Sequence, residues 1–226
     1  MTTLRSTLLA LSLAATAVAA PPAGKPDGKK AAEQERTAAL QLKGDAARGK
    51  EAYKVCAACH LDTGAGRADG TFPQLAGQHA SVVIKQVADI RAGVRANPVM
   101  HPFSTTLTSA QELADVAAYL QTLPAPTDTQ KGSGTELAQG QKLYEASCAG
   151  CHGKQGEGDA AKFVPRLSGQ HYAYVLRQAQ EIRDGKRTNG HQDMLKTVKK
   201  LGDKELSAVA DYLARLSLPA AAAPVK

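Results

Sequence analysis

The sequence contains no tryptophan, only three phenylalanines and only six tyrosines among 226 residues. The large side chains that usually fill a core are scarce, and alanine and glycine take their place. Domains built this way must draw apolar bulk from elsewhere. Runs of alternating apolar and polar residues are missing too, which excludes a strand-based fold and leaves helices. After the first twenty residues no stretch is apolar enough to span a bilayer. The net charge of +7 is modest. It comes without long lysine runs or a basic helical stripe interleaved with aromatics, so it reads as a basic surface and not as a nucleic-acid site.

The beginning of the chain has a processing pattern. Arg5 is the only charged residue among the first 24, an apolar stretch of 14 residues runs over 7–20, and Ala17-Val18-Ala19 supplies small residues for cleavage. The stretch is too short for a membrane span, so residues 1–19 read as a secretory signal peptide and the mature chain as lacking a transmembrane segment.

Four cysteines in an exported chain first suggest two disulfides, and a C-x-x-C pair also suits dithiol exchange or half of a zinc site. None of these requires a histidine directly after the second cysteine. Both pairs have one: Cys56-Ala57-Ala58-Cys59-His60 and Cys148-Ala149-Gly150-Cys151-His152. This is the pattern of covalent c-type haem attachment. Two intervening residues let both sulfurs reach the vinyl groups of one macrocycle and place the next side chain beneath its iron. Two covalent haems would also supply the bulk that the composition lacks.

The chain is an internal duplication. The motifs lie 92 residues apart, and at that offset residues 73–95 match residues 165–187 at eleven of 23 positions, Gly-Gln-His included. The match resumes at Glu112-Leu113 and residues 116–120, against Glu205-Leu206 and residues 209–213. The organisation expected is a signal peptide (1–19), a flexible or loosely helical N-terminal extension (20–43), a first domain (44–123), a Pro/Gly/Ser/Thr-rich linker (124–135), a second domain (136–219) and a loose tail (220–226). The first helix of each repeat should begin near Asp45, and near Ser133 or Thr135. The middle helices should bury Val83, Val87 and Ile90, and Val175, Ala179 and Ile182, and stop at Gly93 and Gly185. Ser109 with Glu112 suggests a capping box for the last helix, and Asp203 a cap for its counterpart.

With Met1 in the signal peptide, two methionines remain, one per repeat: Met100 and Met194 follow their motif histidines by 40 and 42 residues. Each lies between the middle and last helices, where a loop could return over a haem, which makes them the candidate sixth ligands to iron, with His60 and His152 as the fifth. His101 is a weaker competitor, and His191 has no counterpart. His79 and His171 align, and read as helix-start residues bonding locally. Pro73 and Pro165 each lie thirteen residues after a motif histidine, and a carbonyl there could accept its Nδ1–H. The spacing alone does not decide this.

These motifs resemble the class I cytochromes c, most closely the dihaem cytochromes of the c4 type, over about 175 residues. CAACH with PQLAGQH and Met100, then CAGCH with PRLSGQH and Met194, carry the likeness. Gly49/Tyr53, Gly140/Tyr144 and the Tyr-Leu of each last helix add to it. The resemblance implies an all-α fold of two tandem class I cytochrome c domains, each a small helical domain around a covalent haem. In each, the first and last helices cross beside an aromatic contact. It implies Pro73 and Pro165 as carbonyl partners of the proximal histidines. It also implies a periplasmic electron carrier, not itself an enzyme, between a quinol-oxidising complex and a terminal oxidase. The alternative is a cytochrome subunit of a periplasmic dehydrogenase, such as a flavocytochrome sulfide dehydrogenase. Two features depart from the pattern. Tyr53 precedes Cys56 by three residues while Tyr144 precedes Cys148 by four, which makes the first repeat's helix crossing the weaker match. The extension over 20–43 is long, a candidate for binding a partner or a membrane surface. Residues 44–123 carry seven basic and seven acidic residues and 136–219 carry thirteen and ten, so the second domain should prefer the more acidic partner.

Overall fold

The computed structural model describes residues 27–126 and 128–216. The expected signal peptide and tail lie outside them. The described residues form helices joined by loops, with a single isolated β-bridge between Asp159 and Val164. No helix among them is long and apolar enough to cross a membrane.

The first repeat contains α2 (Ala46–His60), α3 (Ala80–Arg91), the short α4 (His101–Ser104) and α5 (Ala110–Thr122). A further helix, α1 (Gly28–Leu40), precedes it. The second repeat contains α6 (Leu137–Ser147), α7 (Ala149–His152), α8 (Tyr172–Arg183), α9 (Gln192–Val198) and α10 (Asp203–Arg215). The extension over 20–43, expected to be flexible or loosely helical, is in its 28–40 part a packed helix. Ala32 and Ala39 fall on one face seven residues apart, both are buried, and Ala39 joins the core of the first repeat. Glu35 of α1 pairs with Arg91, and Arg36 lies over the ring of Phe163 in the second repeat, 5.0 Å from its centroid.

Helix starts follow local chemistry. The Asp45 carboxylate accepts from the N–H groups of Ala47 and Arg48, and the Ser109 hydroxyl accepts from that of Glu112. Glu112 does not complete the reciprocal box; its carboxylate accepts from Thr108. Helix α6 starts after Glu136 without a side-chain cap, not at Ser133 or Thr135. Gly202, not Asp203, precedes α10, and the Glu205 carboxylate reaches back to the Gly202 N–H. Both middle helices end at a glycine with positive φ, 72° at Gly93 and 73° at Gly185.

The first and last helices of each repeat cross at a glycine. A Cβ on Gly49 would lie 2.0 Å from the carbonyl oxygen of Asp115, and one on Gly140 would lie 2.1 Å from that of Ala208. Beside each crossing a tyrosine pair packs, Tyr53–Tyr119 at 5.5 Å and Tyr144–Tyr212 at 5.7 Å between centroids. The crossing of the first repeat, the weaker match by spacing, is thus the same as the second. The extra residue before Cys148 is absorbed elsewhere. Helix α2 runs unbroken through its motif, whereas α6 stops at Ser147, Cys148 turns to φ −120° and α7 restarts. Both tyrosines also end alike: the Tyr53 hydroxyl donates to Leu61 and the Tyr144 hydroxyl to Gly153, each the residue after the motif histidine.

A buried carboxylate anchors the start of α2. Asp115 accepts from the Arg48 guanidinium, the Asp45 N–H and Gln111. Burial alone would raise its pKa, but these donors hold it below the ordinary 3.8. In the second repeat Asp211 does related work, accepting from the N–H groups of Gly132 and Gly134 and fastening the linker to α10.

Ala at position 49 or 140 should destabilise the haem-loaded protein by about 1–3 kcal/mol or more through overpacking. Gly150→Ala, which meets nothing within 4 Å, should be near neutral in the same thermal melts. Asp115→Asn should cost about 1–2 kcal/mol at neutral pH. Because the native pKa is depressed, that difference in melting temperature should persist down to about pH 4 and shrink only as pH falls through the native value, where the wild-type carboxyl also becomes neutral. A difference independent of pH would contradict this.

Candidate haem centres

Each motif sits at the end of a helix that its own crossing holds in place. Cys56, Cys59 and His60 occupy the last turns of α2; Cys151 and His152 lie in α7, with Cys148 at its start. None of the four cysteines is in a disulfide, and their exposure falls from Cys151 to the buried Cys56. Burial pushes the thiols of Cys56 and Cys148 up to about 11. A thiol–disulfide exchange centre needs the opposite shift, because the thiolate is its nucleophile. At Cys56 and Cys148 burial disfavours that thiolate.

The two histidines are buried, 6% exposed at His60 and 7% at His152. The Nδ1–H of His60 donates to the carbonyl of Pro73 at 2.9 Å, and that of His152 to Pro165 at 3.1 Å. A carbonyl can only accept, so the proton sits on Nδ1 and the Nε2 lone pair is left for a metal. Burial lowers both pKa values, against the opposing effect of the proline carbonyl, and keeps the rings neutral as ligands must be. The loop geometry is set by glycine. Gly66 has φ 71°, and a Cβ there would come 2.4 Å from the Pro73 carbonyl oxygen; Gly158, with φ 75°, stands in the same relation to the 164–166 backbone. Each of these glycines also donates its N–H to the carbonyl of its motif histidine, Gly66 to His60 at 2.9 Å and Gly158 to His152 at 2.8 Å.

Met100 precedes α4, half-buried and next to Val99, which is 60% exposed. Met194 lies in α9, packed against the cluster of Ile182, Val198 and Leu206. Both stand between the middle and last helices of their repeats. His101 is exposed, and His191 caps α9 through its own ring nitrogen, which accounts for a histidine without a counterpart.

His79 and His171 do not bond locally. The His79 ring donates from Nε2 to the carbonyl of Glu157, and the His171 ring to that of Ala65, each 2.8 Å and each across to the other repeat. The neighbouring glutamines do the same. Gln170 accepts from the N–H of Gln74 and donates to its carbonyl, both at 2.9 Å; Gln78 makes the mirrored pair with Arg166, both at 3.0 Å. Further out, Arg95 and Arg187 each reach both Gln86 and Gln178. The two repeats therefore face each other about an approximate twofold axis. The signal for this lay in the sequence: polar residues identical in both halves, without a helical or ligand role to explain them.

A model of the cytochrome c family matches residues 46–124 and again 137–217. The chain is 37% identical over 186 residues to cytochrome c4 of Azotobacter vinelandii, covering 75% of this chain and 88% of that one. The chain belongs to the cytochrome c4 family of dihaem class I cytochromes c. The crystal structure of reduced recombinant cytochrome c4 from Pseudomonas stutzeri superposes with a TM-score of 0.71 at 32% identity, over 77% of this chain and all of that one. A thiosulfate dehydrogenase electron acceptor of Stutzerimonas stutzeri is 34% identical over 197 residues, covering 78% of this chain and 90% of that protein. As in other members of the cytochrome c4 family, two haems are covalently bound.

The residues present fit that group. Each centre offers two cysteine sulfurs and one neutral imidazole whose Nε2 is left for a metal. Between the repeats, the guanidiniums of Arg95 and Arg187 hydrogen-bond only to neutral partners among the described residues. Burial, then the nearby Arg95, pushes Arg187 down to about 10. Glu181 and Asp89 oppose that shift but make no hydrogen bond to the guanidinium. Positive charge without a direct carboxylate partner suits the propionates that each haem brings. Replacing Cys148 and Cys151 together by alanine should leave one covalent haem in place of two, read by intact mass and the pyridine haemochrome of the mature protein.

Proposed function

We propose that this cytochrome is a periplasmic electron carrier that takes electrons from respiratory donors and passes them to a terminal oxidase or another acceptor. In this reading Cys56, Cys59, Cys148 and Cys151 hold the haems. His60 and Met100 would hold the first iron, and His152 and Met194 the second. Each haem supplies one iron that holds or releases one electron. The chain's own residues do the rest. The carbonyls of Pro73 and Pro165 orient the imidazoles and raise their basicity. A methionine opposite histidine raises the reduction potential and closes the iron to substrates, which suits a carrier and not a catalyst.

The facing arrangement of the two centres supports this most. The loops that carry Pro73 and Pro165 are the ones that meet across the twofold interface, through Gln74 with Gln170 and Arg166 with Gln78. Two one-electron sites held in fixed relation make a relay with an entry and an exit. Their surroundings differ. The segment around Met100 is uncharged, with Pro98, Val99 and Pro102 exposed, whereas Met194 is followed by exposed Lys196, Lys199, Lys200 and Lys204. The second centre is therefore the one to meet an acidic partner, through a small, transient and salt-sensitive contact.

The second reading, a carrier dedicated to one periplasmic dehydrogenase, draws on the similarity to the thiosulfate dehydrogenase electron acceptor. Rapid reduction by such a dehydrogenase, with slow reduction by a quinol-oxidising complex, would favour it.

The oxidised protein should show a far-red iron–methionine band. Met100→Ala and Met194→Ala should each remove about half of it and lower one of the two reduction potentials. A band left undiminished by either substitution would remove that methionine from the ligand set.

A further inference from the structure

Each motif histidine is bracketed by two peptide units, and the opposite repeat holds the far end of both. The Pro73–Gln74 peptide accepts from the His60 ring through its carbonyl and donates through its N–H to Oε1 of Gln170. The Ala65–Gly66 peptide donates through its N–H to the His60 carbonyl and accepts through its own carbonyl from the His171 ring. The second centre repeats this with the roles exchanged. Pro165–Arg166 joins the His152 ring to Gln78, and Glu157–Gly158 joins the His152 carbonyl to the His79 ring. The glutamine amides are fixed in orientation. Oε1 of Gln170 receives two N–H groups, from Gln74 and from His171, and Oε1 of Gln78 receives those of Arg166 and His79. Gln74, Gln170 and His171 are buried, so water does not compete for the bonds at the first centre, while Gln78, His79 and Arg166 at the second are half-buried.

We propose that the Gln-His pair of each domain is a positioning element for the haem of the other domain, and that Gln170 and Gln78 tune the reduction potentials of the first and second haem respectively. An amide whose N–H is engaged is polarised and becomes a stronger acceptor at its carbonyl. The Pro73 carbonyl then draws the His60 Nδ1 proton more strongly. The imidazole gains anionic character and favours ferric iron. Losing the glutamine acceptor should therefore raise the potential of the haem across the interface, while the haem in the glutamine's own domain stays where it was.

The inference rests on His60 and His152 as iron ligands, and the experiment separates the two. Spectroelectrochemical titration of the mature dihaem protein is done on wild type, Gln170→Leu and Gln78→Leu. A Met100→His background marks the wave of the first haem by displacing it. Gln170→Leu should raise the first potential by about 18 mV, a twofold change in electron partition at 59 mV per decade for one electron; Gln78→Leu should raise the second by a similar amount. Gln170→Glu keeps an acceptor for the Gln74 N–H, so its first potential should fall at or below wild type. Loosening of the interface alone would move Glu and Leu variants the same way, and that result overturns the proposal. A shift in the glutamine's own domain, or in neither haem with the far-red band intact, overturns it as well. Loss of two-haem, histidine-ligated spectra in the wild type itself would instead remove the underlying ligand assignment.

Discussion

Everything in each half is arranged around one hydrogen bond, from a buried imidazole to a proline carbonyl thirteen residues further on. For that bond to form, the helix carrying the motif must end at the histidine and the chain must turn back at once. The turn needs positive φ at Gly66 and Gly158, where any side chain would strike the backbone around the proline. The helix must also be held against slipping along its axis. Its glycine, pressed onto the last helix without a Cβ between, and its tyrosine, which reaches past the motif to the following carbonyl, do this together. In a chain so poor in large side chains these few contacts carry what a bulky core would otherwise supply.

The fold and the centres were legible in the sequence to different depths. The motifs, the duplication and the helical class could be read because they depend on local spacing: a cysteine pair with its histidine, a glycine at a helix end, an aspartate before a first turn. Helix starts governed by competing local donors were less so. Glu112 had both Thr108 and Ser109 within reach, and Glu136 started α6 with no cap at all. Helix α1 was hard to read because its composition, rich in Ala, Lys, Glu and Gln, is also that of a loose segment. What orders it is a tertiary contact, Ala39 in a core that lies mostly beyond residue 53. Tertiary packing routinely overrides such a local signal.

The function of His79 and His171 was hidden for a different reason. Periodicity and capping rules describe one domain at a time, and within one domain these residues do nothing. Their partners are the carbonyls of Glu157 and Ala65, 78 and 106 residues away. A duplicated chain has one extra source of information, though. A polar residue retained in both copies, with no task inside either, is what a twofold interface requires, because each copy must offer the group that the other copy receives.

That symmetry is only approximate, and a few one-sided bonds cross the interface itself, from Arg177 to Gly70 and from Asn189 to Asp89. The paired peptide units, glutamines and histidines match to within about a tenth of an ångström in bond length. Larger differences lie on the outer parts: α1 packs on the first repeat, the helix breaks before the motif only in the second, and exposed lysines follow Met194 but not Met100. Such a division is what a directional two-site carrier needs. A shared, rigid inner face keeps the two centres in a constant relation, while unlike outer faces let donor and acceptor be told apart. Were the outer faces alike, each partner would meet either end equally well, and two sites would offer little that one does not.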